Sequence, residues 1–239
     1  MTKSSAGPGM DYFYSPHYQT HNLARLSHLA SLGLPLEGRR VLEVGCGPGD
    51  HTGFYLQRGC SVYAVDARLE CLEALRARYP GVETAQVDMN APDSLRSLGN
   101  FEVVHCYGLL YHLEDPKTGI ASMAAVCTDL LLLESCVSAR RSEEVYPADE
   151  LAEDFTQSVR GLGCRPTRQW LFKTLGQFFP FVYQTTTQPN HPEFPLDWSS
   201  ASDEQGLIRV VLVSSRRPLE TRLLSPSLLE KQALAVSAS

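Results

Sequence analysis

Apolar positions along this 239-residue chain come in short runs, and between residues 40 and 137 the runs alternate in kind. RVLEV, SVYAVD, VETAQV, FEVVHCY and DLLLLESCV are rich in branched and aromatic residues and too short for helices, so they predict five strands. Helical spacing fills the intervals. Asp50 is placed to cap a helix running to about Arg58 and stopped by Gly59. Leu69, Leu72, Leu75 and Tyr79 mark a second helix, closed by Pro80 and Gly81, and a third runs from about Asp115 to Val126. Alternation at this length predicts a parallel sheet with helices on both faces. Upstream, Leu23, Leu26 and Ala30 share one stripe of a helix over about 19–32, ended by Gly33 and Pro35.

The far end breaks this rhythm. Thr167 caps a helix through about Phe178, and FPFVYQTTT and GLIRVVLVSS then follow as strands with no helix between them. Without room for a crossover they pair antiparallel. The stretch that joins them, QPNHPEFPLDWSSASDEQ, is longer than most connections, which marks it as functional. The tail beyond Arg217 predicts loose helix or coil, and residues 1–10, rich in Ser, Gly and Pro, a mobile lead-in.

Composition narrows the classes. The hydrophobic fraction of 43% is ordinary for a globular chain. A net charge of −6 without a long basic run argues against a dedicated nucleic-acid binder. No apolar run approaches the length of a membrane span. The seven cysteines form no CxxC pair, and the start of the chain lacks the apolar stretch of a secretory signal. They read as reduced thiols of a cytoplasmic protein.

Gly45, Gly47 and Gly49 follow the first strand in VLEVGCGPGD. Bare backbone there permits unusual φ values and close approach of a ligand, which in an open parallel sheet binds beyond the carboxyl ends of the strands. A dinucleotide fingerprint, G-x-G-x-x-G, would place its third glycine where Asp50 stands, and an acid at that mouth repels a pyrophosphate. The loop better suits a ligand with no phosphate. Asp66 ends the second strand, where an acid accepts both hydroxyls of a ribose, and Asp88-Met89 ends the third.

The segment E-V-G-C-G-P-G, Glu43 to Gly49, resembles the first motif of the class I S-adenosylmethionine-dependent methyltransferases, and the resemblance extends over about 40–215. It implies an α/β, Rossmann-like three-layer sandwich with a seven-stranded, mostly parallel sheet and an antiparallel last strand. It implies S-adenosyl-L-methionine as cofactor, with Asp88 at the adenine amino group, Met89 on the ring and Tyr107 near the methionine moiety. Glu43, Ala67 and Tyr14 complete the expected cofactor set. Arg25 lies off the apolar stripe of its helix; it is a solvated charge or, as in some similar enzymes, the partner of the methionine carboxylate. Tyr12, Phe13, Tyr14 and Tyr18 form an aromatic cluster that either folds over the cofactor or staples the helix. The expected organisation is an N-terminal segment with a lid-like helix (1–36), the cofactor-binding domain (37–217) and a tail (218–239).

Methyl transfer from a sulfonium needs alignment, exclusion of water and removal of a proton from a weak nucleophile. His112, in the segment after strand four, is the first candidate base, because imidazole titrates near neutrality. Glu134 at the end of strand five and His191 in the long late connection are the others, each with a structural alternative. Phe194 and Trp198 are candidate pocket walls, and Arg165 and Arg168 either bind an anionic substrate group or are solvated. The reading is a cytoplasmic enzyme that methylates an oxygen or nitrogen of a small molecule, with no nucleic-acid or membrane partner. Its rivals are an RNA or protein methyltransferase, a nucleotide-dependent reductase, and an inactive cofactor-binding partner subunit. The sequence leaves the oligomeric state open.

Overall fold

A computed structural model describes residues 9–235, so most of the expected mobile lead-in lies outside the described residues. In chain order the elements are α1 (Pro16–Ser31), β1 (Arg40–Val44), α2 (Thr52–Leu56), β2 (Ser61–Asp66), α3 (Leu69–Arg78), β3 (Glu83–Gln86), β4 (Phe101–Tyr107), α4 (Pro116–Val126) and β5 (Cys127–Val137). There follow β6 (Val145–Asp149), β7 (Leu162–Pro166), α5 (Arg168–Leu175), β8 (Phe181–Thr185), β9 (Thr187–Gln188), β10 (Ile208–Ser215), β11 (Leu224–Ser225) and β12 (Ala233–Leu234).

The main sheet has the order β11-β8-β10-β5-β4-β1-β2-β3. Strands β1 to β5 are parallel, and β10 runs antiparallel between β5 and β8. The strand order reverses at β1, which has β2 on one side and β4 on the other. That is the point at which such a sheet opens a crevice. The sheet is eight-stranded rather than seven-stranded because β11, from the tail, adds to the edge strand β8.

Alternating side chains divide the core. Val104, Leu131, Leu133, Val210 and Leu212 face one layer with Ile120 and Met123 of α4 and Leu171 and Leu175 of α5. Val103, Leu130, Leu132, Val211 and Val213 face the other with Leu29, Tyr55, Leu72 and Leu75 from α1, α2 and α3. Both faces of β5 are therefore covered, which is why its sequence is a continuous apolar run instead of an alternating one.

Three expectations are corrected. The stripe assigned to α1 is not its buried face: Leu23 is 67% exposed, whereas His21, Asn22, Arg25, His28 and Leu29 are buried. The helix turns a polar face inward because that face meets polar groups of the sheet ends rather than aliphatic core. Asp50 does not cap α2; its carboxylate accepts from Asn22 and Arg78, and the helix starts after His51. Residues 218–235 of the tail are neither helix nor loose coil. They are pinned by β11 and β12 and by Gln232, which accepts from the Trp198 indole and the Gln184 amide, both at 2.7 Å. The hairpin of β6 and β7 went unforeseen, since VYPAD and LGCRP carry too few apolar positions and a proline each.

Candidate active site

The carboxyl ends of β1 to β4 open onto a cavity of about 600 Å³, whose wall includes Gly45, Gly47, Asp66, Ala67, Asp88, Met89 and Tyr107. Gly45 has φ 70° and Gly47 φ 52°, both left-handed. A Cβ on Gly45 would stand 2.8 Å from the Leu109 Cβ, so the loop needs glycine there for conformation and for space. Gly49 is also left-handed but lies off the wall; a Cβ there would meet Leu75 at 2.9 Å. Asp66 accepts the Gly47 and Arg68 amides at 2.9 Å each, which fixes the carboxylate beside the loop. Burial raises its pKa despite these bonds. Further donors to the carboxylate would relieve that cost.

Asp88 is gripped differently. The Arg160 guanidinium donates to its Oδ2 from Nε at 3.0 Å and Nη2 at 2.6 Å. Burial raises the carboxyl, but the Asn90 amide and Arg160 more than offset this and hold it below the usual range. Arg160 belongs to a segment, 150–160, that covers this side of the cavity. Arg68 anchors the same segment by donating to the carbonyls of Ala152, Asp154 and Gln157 at 2.9, 2.8 and 3.2 Å.

The other side is built from buried charge. Glu134, at the end of β5, is fully buried between Arg25 (2.7 Å) and Arg209 (3.0 Å). Arg209 also pairs with Glu193 of the late connection. Arg25 is 2% exposed, so it is not a solvated charge. Asn22 next to it accepts from Arg25 at 3.2 Å and donates to Asp50 at 3.1 Å. Because arginine only donates and carboxylate only accepts, the amide orientation is fixed, and it fixes a chain behind it. His51 Nε2 donates to Asn22 Oδ1 (3.1 Å), His105 Nε2 donates to His51 Nδ1 (3.0 Å), and the Tyr55 hydroxyl donates to His105 Nδ1 (2.8 Å). Both imidazoles are thereby neutral, and burial lowers both pKa values, that of His105 to about 3.

His112 lies on the cavity wall with Nδ1 2.5 Å from Glu150 Oε2. Burial lowers its pKa by more than the Glu150 carboxylate raises it. Glu150 also accepts the Ser158 amide at 2.7 Å, so the same carboxylate orients the imidazole and holds the covering segment. Neutral and fixed through one nitrogen, His112 has Nε2 left for a substrate proton.

The sequence-derived residues therefore divide. Gly45, Gly47, Asp66, Ala67, Asp88, Met89, Tyr107, Arg25 and His112 meet at one cavity. Glu43 lies beneath the loop, accepting from Thr52 at 2.6 Å, and burial raises its pKa to about 8. Tyr14 is 54% exposed and off the wall, unlike Tyr12, Phe13 and Tyr18. Glu134 has its oxygens turned to two arginines and does not line the cavity. His191 stands behind the wall against His21, ring centroids 4.5 Å apart. Trp198 packs under Arg168, 3.9 Å from guanidinium to ring, away from the cavity. Glu150, Arg160, Arg209, Glu193 and His21 were missed. The pair His17 and His21, one helical turn apart, and the run His191-Pro192-Glu193 were the available signals.

Residues 41–129 match the family model of a methyltransferase domain. The matched segment runs from β1 into β5 and carries the glycine loop, Asp66 and Asp88-Met89. Over 115 residues it is 33% identical to a ubiquinone biosynthesis O-methyltransferase of Paracidovorax citrulli, covering 46% of each chain. The chain thus spans about half the length of the curated relatives it matches. By structure it is similar to the N-terminal domain of EvdMO1 solved with SAH and D-fucose (TM-score 0.60, 23% identity, 85% of each chain). It is also similar to the Burkholderia thailandensis 1,6-didemethyltoxoflavin-N1-methyltransferase (TM-score 0.57, 20% identity, 86% of this chain and 81% of that one). These structural likenesses concern the fold. Among the described residues no helix is long and apolar enough to cross a membrane.

Proposed function

We propose that the protein transfers a methyl group from S-adenosyl-L-methionine to an oxygen of a small molecule, with His112 as general base. The observation that carries this reading is the convergence of Gly45, Gly47, Asp66, Asp88 and Met89 on one cavity. The residues present suit that cofactor. Left-handed glycines leave the loop flush with the cavity, and Asp66 has lone pairs for two ribose hydroxyls beyond the amides it accepts. Met89 offers a polarizable face to an adenine ring. Tyr107 lines the wall with a buried hydroxyl that has no hydrogen-bond partner among the described residues, as expected of a group that awaits a ligand.

When bound, the cofactor supplies the sulfonium methyl as electrophile. The chain supplies position and proton removal. His112 accepts the proton of an acceptor hydroxyl through Nε2 while Glu150 stabilises the imidazolium that forms. The covering segment, tied by Arg68 and Arg160, excludes water from the reacting atoms. Oxygen is favoured because a hydroxyl is the acceptor that most needs such a base, and the name of the Paracidovorax relative agrees.

Calorimetry with S-adenosylhomocysteine and with NAD tests the ligand class; binding of NAD alone overturns the reading. A labelled-methyl screen on hydroxylated metabolites, tRNA and protein then tests the acceptor, and label in tRNA or protein alone removes the small-molecule assignment.

A further inference from the structure

His21 on α1 and His191 and Glu193 on the late connection hold nothing in the reaction described above, yet they face one another. A ligand atom from each lies within 4.8 Å of the others. The His21 side chain is almost wholly buried, and its Nε2 has no hydrogen-bond partner among the described residues, with Glu193 Oε2 3.8 Å away. A buried nitrogen left in this way normally has a partner. His21 and Glu193 both line the cavity.

We propose that His21, His191 and Glu193 bind one divalent transition-metal ion at the cavity wall, whose open position takes a hydroxyl of the acceptor. Two imidazoles and a carboxylate are a donor set for zinc and its neighbours, with a position free for an exogenous oxygen. Bonds of about 2.0–2.2 Å bring tetrahedral ligands to roughly 3.3 Å from one another, so the side chains draw in by about 1.5 Å. His191, partly exposed on a loop, has that freedom. Glu193 Oε2, the oxygen that faces His21 Nε2, also accepts from Arg209, which fixes the carboxylate as outer partners of metal ligands do. Glu134 between Arg25 and Arg209 reduces the cationic cost of these two side chains.

The role of the open position rests on the proposed methyl transfer; the ion site itself does not. The test is therefore independent of turnover. The full chain, freed of metal with chelator, is titrated with Zn²⁺ by calorimetry and with Co²⁺ by visible absorption. One equivalent is expected, with the d–d bands of a four- or five-coordinate nitrogen–oxygen site. His191→Ala and Glu193→Gln each weaken binding by on the order of 100-fold or more. His191→Ala alters a partly exposed side chain, and an unchanged unfolding midpoint verifies its fold. No binding at one equivalent, or binding that survives both substitutions, overturns the site. S-adenosylhomocysteine titrated into the same samples reads the cofactor assignment separately, so either can fail alone.

Discussion

The two halves of the cavity are held by different physics. At the ends of β1, β2 and β3 the work is done by backbone and local turns: left-handed glycines, amides donated to Asp66, and Asp88 and Met89 one residue past a strand. At the ends of β5 and β10 it is done by charges that are buried and distant in sequence: Arg25, Glu134, Arg209 and Glu193. The first half presents fixed lone pairs and bare peptide. The second carries ions that exist only because each neutralises another. The first should tolerate loss of a side chain with its fold intact and its affinity reduced; the second should not.

The largest expected effect tests the second half. Glu134→Ala removes the carboxylate between two buried guanidinium groups, leaving Arg209 with Glu193 and Arg25 with no carboxylate. Breaking such an arrangement costs about 3–5 kcal/mol, or roughly 10 °C in Tm for a chain of this size. Urea unfolding followed by circular dichroism measures it. A loss below about 1 kcal/mol, the range of exposed pairs, would erase the distinction between the halves.

That distinction also explains what could be read from sequence. The glycine loop, Asp66 and Asp88-Met89 were legible because each occupies a set distance from a strand that its own apolar run declares. Arg25 and Glu134 stand out in the sequence, Glu134 with a structural ion pair as its alternative, but their partners do not, since nothing local says that residues 25, 134, 193 and 209 meet. The inward face of α1 was misread for the same reason. Leu23 and Ala30 looked like a core stripe, whereas His21, Arg25 and His28 are buried by partners the helix does not encode. Segment 150–160 escaped because its polar residues are ordered by Arg68 and Arg160 rather than by apolar spacing.

The pH dependence of stability sharpens the comparison next. His21, His28, His51 and His105 are buried with lowered pKa values, about 4 for His28 and about 3 for His105. Their neutral forms contribute stability that is complete above the ordinary imidazole value of 6.5 and is lost as pH falls below it. Glu43 and Asp66, with raised pKa values, act in the opposite sense, and Glu43 loses stability as pH rises from 4.5 toward 8. His112 shifts in the same direction as these four imidazoles, so the histidines make stability rise with pH below 6.5. Thermal unfolding across this range should show a maximum near pH 6.5. A flat profile from pH 5 to 7 would show that the polar face of α1 is not held as described.

For the first half, Asp66→Ala should weaken S-adenosylhomocysteine by about 1.5–3 kcal/mol, the scale of lost charge-assisted hydrogen bonds, while the unfolding midpoint moves little. Unchanged affinity in calorimetry would remove the ribose assignment. His112→Ala should lower turnover by about 10²–10⁴-fold with that affinity kept, and Glu150→Gln should shift the acidic limb of the pH–rate profile. Full activity of His112→Ala would end its role as base.

The smallest effect expected is the most local. Arg160 binds Asp88 from the solvent side, its own side chain 44% exposed and that of Asp88 36%. Screening keeps such a pair weak, so Arg160→Ala should change S-adenosylhomocysteine affinity less than about fivefold. Its kinetic effect should be larger than its equilibrium effect, because the guanidinium ties segment 150–160 across the cavity and its loss speeds both entry and exit of the ligand. Stopped-flow measurement of the two rates separates a closing segment from a passive wall. Equal acceleration of both rates supports the first, and unaltered rates would mean that Arg160 decorates a cover held shut by Arg68 alone.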